Sequence, residues 1–212
     1  MGSEMCIRDS VYMDKLIFAT GNEGKMKEVR MILADLGYEI QSMKEAGINV
    51  DIVEDGKTFE ENALIKARAI SKETGCLVLA DDSGLEVDYM DKAPGIYSAR
   101  FLGEDTSYRI KNQYIIDKLA GVPDSERTAR FVCAIAAVFP DGSEYTTRGT
   151  IEGIIGYEER GENGFGYDPI FFLPEKGKTT AELDPEEKNE ISHRGNALRL
   201  MKDVIRKHRE NN

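Results

Sequence analysis

The stretch LVLADDSGL, residues 77–85, constrains this chain more than any other. Leu77, Val78, Leu79 and Ala80 form an apolar run without polar alternation, the pattern of a strand buried on both faces. The run leads straight into Asp81 and Asp82. Adjacent carboxylates at the end of a buried strand are costly unless a cation, a donor network or solvent meets them. Ser83 and Gly84 predict a tight turn that presents the pair. Two readings follow: a metal or catalytic site at the strand end, or an Asx-rich turn in which one aspartate caps the next element.

Charge and composition narrow the classes. The formal net charge is -11 over 212 residues, which opposes a sequence-independent grip on nucleic acid, because that grip needs a basic surface. A polyanionic ligand must therefore meet a local positive pocket or arrive with its metal. No apolar run reaches the length of a membrane span and no hydrophobic signal segment is evident, so a cytoplasmic protein is expected. Cys6, Cys76 and Cys133 lack metal-ligand spacing; Cys76 and Cys133 read as small buried hydrophobes of a reduced compartment.

Residues 1–12 carry no periodicity and precede a second methionine, Met13; they read as a leader or a mis-assigned start. Residues 15–19 predict a first strand, ending in Thr20, Gly21, Asn22, Glu23, Gly24 and Lys25. Val29, Ile32, Leu33 and Leu36 then recur at helical spacing until Gly37. A strand, a glycine-containing loop and a helix with Lys in its first turn form a phosphate cradle, in which backbone N–H groups and the helix dipole face the anion. The Walker spacing is absent, and an ordinary strand-to-helix turn is the competing reading. Lys25 and Lys27 sit where the dipole disfavours cations, which leans toward an anion site.

Residues 38–42 predict a second strand. Thr58 and Glu61 make a capping box that opens a helix through Thr74, with Ala63, Ala67 and Ile70 inward and Gly75 as its stop. Glu54, just ahead of it, is either a solvated loop acid or a second metal carboxylate, depending on whether it faces Asp82. Thr106 predicts the cap of a helix to Ala120, with Tyr108, Ile115 and Leu119 inward. Residues 129–139 are apolar on both faces and belong in the middle of a sheet; Pro140, Asp141 and Gly142 turn them into a partner strand over 144–155. Gly161, Gly164 and Gly166 then abandon regular structure before an apolar strand over 170–173. Phe165, Tyr167 and Asp168 lie in that loop, where a flat ligand could stack on a ring, or where the rings could simply anchor the loop. Residues 176–190 read as a charged loop. Ser192 caps a last helix with Leu198, Met201 and Ile205 inward, and His193 and Arg194 fall in its first turn, facing either an anion or solvent.

The segments TGNEGK (20–25), ADDSGL (80–85), APGIYSAR (93–100), GFGYDPIF (164–171) and EEKNEISHRG (186–195), in this order, resemble the inosine triphosphate pyrophosphatase family, the XTP/dITP diphosphatases. The resemblance covers residues 13–208. It implies an α/β fold: a long curved mixed sheet flanked by helices, in two lobes with a cleft between them, making residues 13–212 a single two-lobed domain that forms a homodimer. It further implies Mg²⁺-dependent hydrolysis of ITP, dITP and XTP to the monophosphate and pyrophosphate. Asp82 resembles the proton acceptor and a metal carboxylate, Glu54 the second metal carboxylate, and Asp81 a supporting or additional one. Thr20, Gly21, Asn22, Glu23, Gly24 and Lys25 look like the triphosphate cradle, with Lys66 and Ser83 as further substrate contacts. Phe165 would stack on the base, Gly166, Tyr167 and Asp168 would complete that wall, and Lys188, His193 and Arg194 would close the other side. The rivals are a Maf-like pyrophosphatase acting on other bases, which the GFGYD and SHR segments oppose, and a nucleotide-binding module without turnover.

Overall fold

A computed structural model describes residues 14–211; the reading of residues 1–12 lies outside them. Seven strands form one mixed sheet in the order β2-β1-β3-β4-β5-β6-β7. Strand β1 (Lys15–Phe18) pairs in parallel with β2 (Glu39–Ser42) and β3 (Leu77–Val87). Helix α1 (Glu23–Leu33) links β1 to β2, and α2 (Phe59–Thr74) precedes β3. The long strands β4 (Thr128–Val138) and β5 (Glu144–Ile155) continue antiparallel, followed by the short β6 (Phe171–Leu173) and β7 (Lys178–Thr179). Helix α3 (Tyr108–Lys118) lies between β3 and β4, and α4 (Pro185–Ile191) and α5 (His193–Glu210) close the chain.

The sheet is long because β3 does not stop at its aspartates. The expected turn at Ser83 and Gly84 is absent: Asp81, Asp82, Ser83 and Gly84 pair with Ile135, Ala134, Cys133 and Val132 of β4. A full ladder on one side outweighs the turn preference of these residue types. Gly84 meets a packing need instead. A Cβ there would fall 2.3 Å from the Gly95 carbonyl oxygen and 2.5 Å from Ser98 Oγ, so the loop over 95–98 can lie directly on the strand.

Strand alternation then separates the two aspartates onto opposite faces. On one face Leu79 packs with Met26, Val29 and Leu33 of α1 and with Leu198, Met201 and Ile205 of α5. Further along that face, Leu85 and Val87 pack with Ile115 of α3, with Leu119 at its C-cap and with Phe131 and Phe171. Between the two clusters β3 places only Asp81 and Ser83. The opposite face holds Val78 and Ala80 against Ala63, Ala67 and Ile70 of α2, and there Asp82 follows. Strand β1 has its last β3 partner at Leu79, so the flank of β3 beside Asp81 is left for the loop that turns into α1.

Other expectations shift at element ends. The helix expected from Thr106 begins at Tyr108, with Ser107 as its N-cap, because the Thr106 hydroxyl donates to the Leu102 carbonyl instead. Tyr108 lies on the cleft side rather than in the core, at 38% exposure. Residues 176–190 hold β7 and α4 rather than a loop. Pro185 starts α4, and Lys188 and Asn189 are buried despite their polarity. Cys133 is buried and Cys76 half-buried, both as free thiols.

Candidate active site

The site assembles where β1 ends. Thr20 Oγ1 accepts from the Asn22 N–H, and the Asn22 side chain caps α1 by accepting from the Lys25 N–H at 3.1 Å. These bonds fix a helix N-terminus against the open flank of β3, with its positive dipole end toward the cleft. Lys25 reaches back to Asp81, its Nζ 2.9 Å from Oδ2. Asp81 also accepts from Arg194 Nε at 3.4 Å and from the Ser83 hydroxyl. Burial disfavours its charge, yet Lys25, Arg194 and Lys66 outweigh burial and hold the carboxyl well below the usual carboxylate range. Asp81 is therefore an internal counter-ion that orients two cations at the cleft floor.

Asp82 has a different environment. Its Oδ1 accepts from the Ser83 N–H at 3.0 Å and its Oδ2 from Asn62 Nδ2 at 2.9 Å. Burial pushes its carboxyl up to about 6; Lys66 and Asn62 oppose the rise, while Glu54 and Asp81 add to it. Lys66 Nζ lies 3.0 Å from Glu54 Oε2. Burial disfavours the charged lysine, but the fields of Asp81, Glu54 and Asp82 exceed that and raise its pKa. Glu54 thus lies on the Asp82 side of the strand, not in free solvent. Among the described residues no group of three His, Cys, Asp or Glu side chains could hold a metal ion alone. A carboxylate whose pKa is raised in part by a neighbouring carboxylate is nonetheless a fitting donor for a hard divalent cation that takes its other ligands from phosphate and water.

A cleft of about 380 Å³ opens beside this floor. Thr20, Gly21, Asn22, Lys25, Ser83, Phe165, Gly166, Tyr167, Asp168, Lys188, His193 and Arg194 all line it. Glu54, Lys66, Asp81 and Asp82 do not line it; Asp81 is bonded to the lining residues Lys25, Ser83 and Arg194, and Asp82 to the Ser83 N–H. Glu23 is exposed, and Gly24 backs the Phe165 ring from a smaller cavity of about 200 Å³. The wall around Phe165 is held from behind. Asp168 accepts from the Phe165 N–H, from Lys188 Nζ at 2.7 Å and from the Thr180 hydroxyl. Gly164, at φ +76°, could not carry a Cβ, which would fall 2.3 Å from Asp168 Oδ2. The Tyr167 hydroxyl donates to the Ser98 carbonyl, and Tyr108 meets the Tyr167 ring edge-on. Phe165 itself stays 39% exposed, with Lys188 Nζ 5.1 Å and Arg194 Cζ 5.7 Å from its centroid. His193 stacks on Phe131. Burial, then Arg194 and Lys188, push its pKa well down, so the ring is neutral, and its buried Nδ1 has no hydrogen-bond partner among the described residues.

Sequence reasoning missed several residues: Gly84, Ser98, Ala99, Tyr108 and Phe131 also line the cleft. Phe131 and Tyr108 carry no signal, because each reads as a core position of its own element. Asn62 was detectable in principle, since an asparagine inside the first turn of a capped helix is a poor helix former without a partner.

A helix N-terminus bearing Lys25, an exposed ring beside it and a buried carboxylate with a raised pKa on the adjoining strand define a ligand cleft of the nucleotide-processing kind. The sequence comparisons specify it. Residues 16–204 match the model of the Ham1 family. The chain is 50% identical over 191 residues to a protein of Exiguobacterium sibiricum named dITP/XTP pyrophosphatase, covering 90% of this chain and 96% of that one. It is 45% identical to a Bacillus subtilis protein of the same name, covering 92% and 98%. Among solved structures, a HAM1 protein from Coxiella burnetii superposes with a TM-score of 0.84 at 42% identity, over 92% of this chain and all of that one. The chain belongs to the Ham1 family, and that kinship makes it an enzyme of the pyrophosphatase class.

Proposed function

We propose that this enzyme hydrolyses the non-canonical purine nucleoside triphosphates XTP, ITP and dITP to the monophosphate and pyrophosphate, with Mg²⁺, and so clears them from the nucleotide pool before they enter DNA or RNA. One observation carries the reading: a single cleft holds both a helix N-terminus bearing Lys25 and the exposed Phe165 ring, and Asp82 is bonded to the backbone N–H of Ser83, which lines it. The N-terminus and Lys25 hold the triphosphate, and Phe165 stacks on the base. Asp82, raised to about 6, is ionised at neutral pH yet basic enough to take the proton of the water that attacks the α-phosphorus. The phosphorus–oxygen bond to pyrophosphate breaks as the new bond from water forms. Glu54 and Asp82 would hold Mg²⁺, which when bound supplies charge neutralisation to the phosphates. Asp81, engaged by Lys25 and Arg194, keeps those cations in place.

Rejection of adenine follows from donors, whereas guanine shares the six-position carbonyl and its rejection rests on the two position. Hypoxanthine and xanthine carry a carbonyl at the six position where adenine has an amine. Arg194 uses three N–H groups on Asp81, Glu28 and Ser83, which leaves two of its five donors for such a carbonyl. The enzyme acts as a cytoplasmic homodimer in this reading. Among the described residues no helix is long and apolar enough to cross a membrane. The test incubates the protein with Mg²⁺ and, separately, ITP, dITP, XTP, ATP and GTP, and quantifies the products. Monophosphate with pyrophosphate from the first three, ATP and GTP being largely spared, is expected. Orthophosphate with diphosphate would place attack at the outer phosphorus and overturn the mechanism.

A further inference from the structure

Asn62 is almost fully buried, at 1% exposure, and makes two hydrogen bonds that point in opposite directions along the chain. Its Oδ1 accepts from the Gly56 N–H at 2.9 Å, and its Nδ2 donates to Asp82 Oδ2 at 2.9 Å. The amide has only one workable orientation. A backbone N–H can only donate and a carboxylate oxygen only accept, so reversing the amide would break both bonds. Gly56 is fitted to this contact: a Cβ there would fall 2.6 Å from Asn62 Oδ1. The loop is also tied to the start of α2 by the Lys57 N–H, which donates to Glu61 Oε2.

Glu54 lies two residues before Gly56 in that loop, and its carboxylate meets Lys66 on the Asp82 side of β3. Of the ties that hold this loop to α2, through Asn62, Glu61 and Lys66, the one through Asn62 also bonds Asp82. We infer that Asn62 is a positioning residue, which orients Asp82 Oδ2 and locks the Glu54-bearing loop to it, so that the two carboxylates act as one site. Resting on the functional reading above, this extends it to a residue that touches neither cleft nor substrate.

Asn62→Leu removes both bonds at similar volume, and Asn62→Asp keeps the acceptor for Gly56 but faces Asp82 with a second carboxylate. Gly56→Ala strikes the same contact from the other side. Each should lower kcat by about 30-fold or more while KM for ITP stays within about threefold, because Lys25 and Phe165 are untouched. In an Asp82→Asn background Asn62→Leu should cost less than about threefold, since its effect runs through Asp82. A readout free of turnover accompanies these: in metal-free protein, amide exchange of the segment over 54–57 should accelerate at least about tenfold in Asn62→Leu, with the exchange of α2 unchanged. Undiminished kcat in Asn62→Leu or Asn62→Asp, a full extra loss in the Asp82→Asn background, or unchanged exchange at 54–57 would each overturn the inference. If wild-type protein turned over no nucleotide, the functional reading would fail by itself, and the exchange experiment would still decide whether Asn62 holds the loop.

Discussion

Replacing Asp82 by asparagine should weaken function and strengthen the fold. Asp82 is 9% exposed, and its carboxyl is lifted from an ordinary 3.8 to about 6, chiefly by burial. Keeping it ionised at pH 7.5 therefore costs the metal-free native state about 3 kcal/mol. The sign is set by proton binding. Between about pH 4 and 6 the folded protein holds a proton that the unfolded chain has released, so stability falls as pH rises through this window and the full cost stands above it. The side chain of the Asp82→Asn variant would be neutral at every pH. It can still accept from Asn62, but its other group would face the Ser83 N–H with a donor, a loss of about 1 kcal/mol. The net gain of about 2 kcal/mol should raise Tm by roughly 4–8 °C at pH 7.5, and should vanish near pH 4. Turnover should fall by about 10²–10⁴, the usual contribution of a general base. Melting curves in chelator at both pH values, with initial rates on ITP, measure both effects. Equal or lower Tm for Asp82→Asn at pH 7.5, or a turnover loss under about tenfold, would refute the assignment of a strained, functional carboxylate.

Two further outcomes follow from the cleft walls. Phe165→Ala removes a ring already 39% exposed, so Tm should move by less than about 2 °C while KM for ITP rises roughly tenfold through lost stacking; a change under about threefold would show that the ring only anchors its loop. Arg194→Met strips a cation from Asp81, Glu28 and Ser83 and should cost about 3–5 kcal/mol, or roughly 10 °C in Tm, although Lys25 remains. Because the Asp81 carboxyl is held low by its cations, its stabilisation is present above pH 3.8 and lost as pH falls further. The gap between Arg194→Met and wild type should accordingly narrow in acid, and a gap independent of pH would mean that Arg194 contributes through packing alone.

Much of this protein was legible from local pattern. The helical spacing of Ala63, Ala67 and Ile70, the cap at Thr58 and the glycine at 75 placed α2, because caps and apolar periodicity act within a few residues of chain. Only half of the expected capping box forms, since the Thr58 hydroxyl accepts from the Glu61 N–H while the Glu61 carboxylate takes the Lys57 N–H instead of that of Thr58. The two-faced apolar run over 129–139 placed β4 in the interior for the same reason. Adjacent aspartates after a buried strand, a Lys in a first helical turn and an aromatic among glycines marked the cleft, since each breaks a local rule that an ordinary fold would keep. What only the tertiary structure decided was how those marks divide. Asp81 and Asp82 are neighbours in sequence, but the ladder to β4 carries the strand through them and pleating sends them to opposite faces. One meets Lys25 and Arg194 as a counter-ion, while the other meets Asn62 and burial and becomes basic. No local rule contains that difference, because a carboxylate's chemistry is set by the charges and solvent that distant segments bring to it.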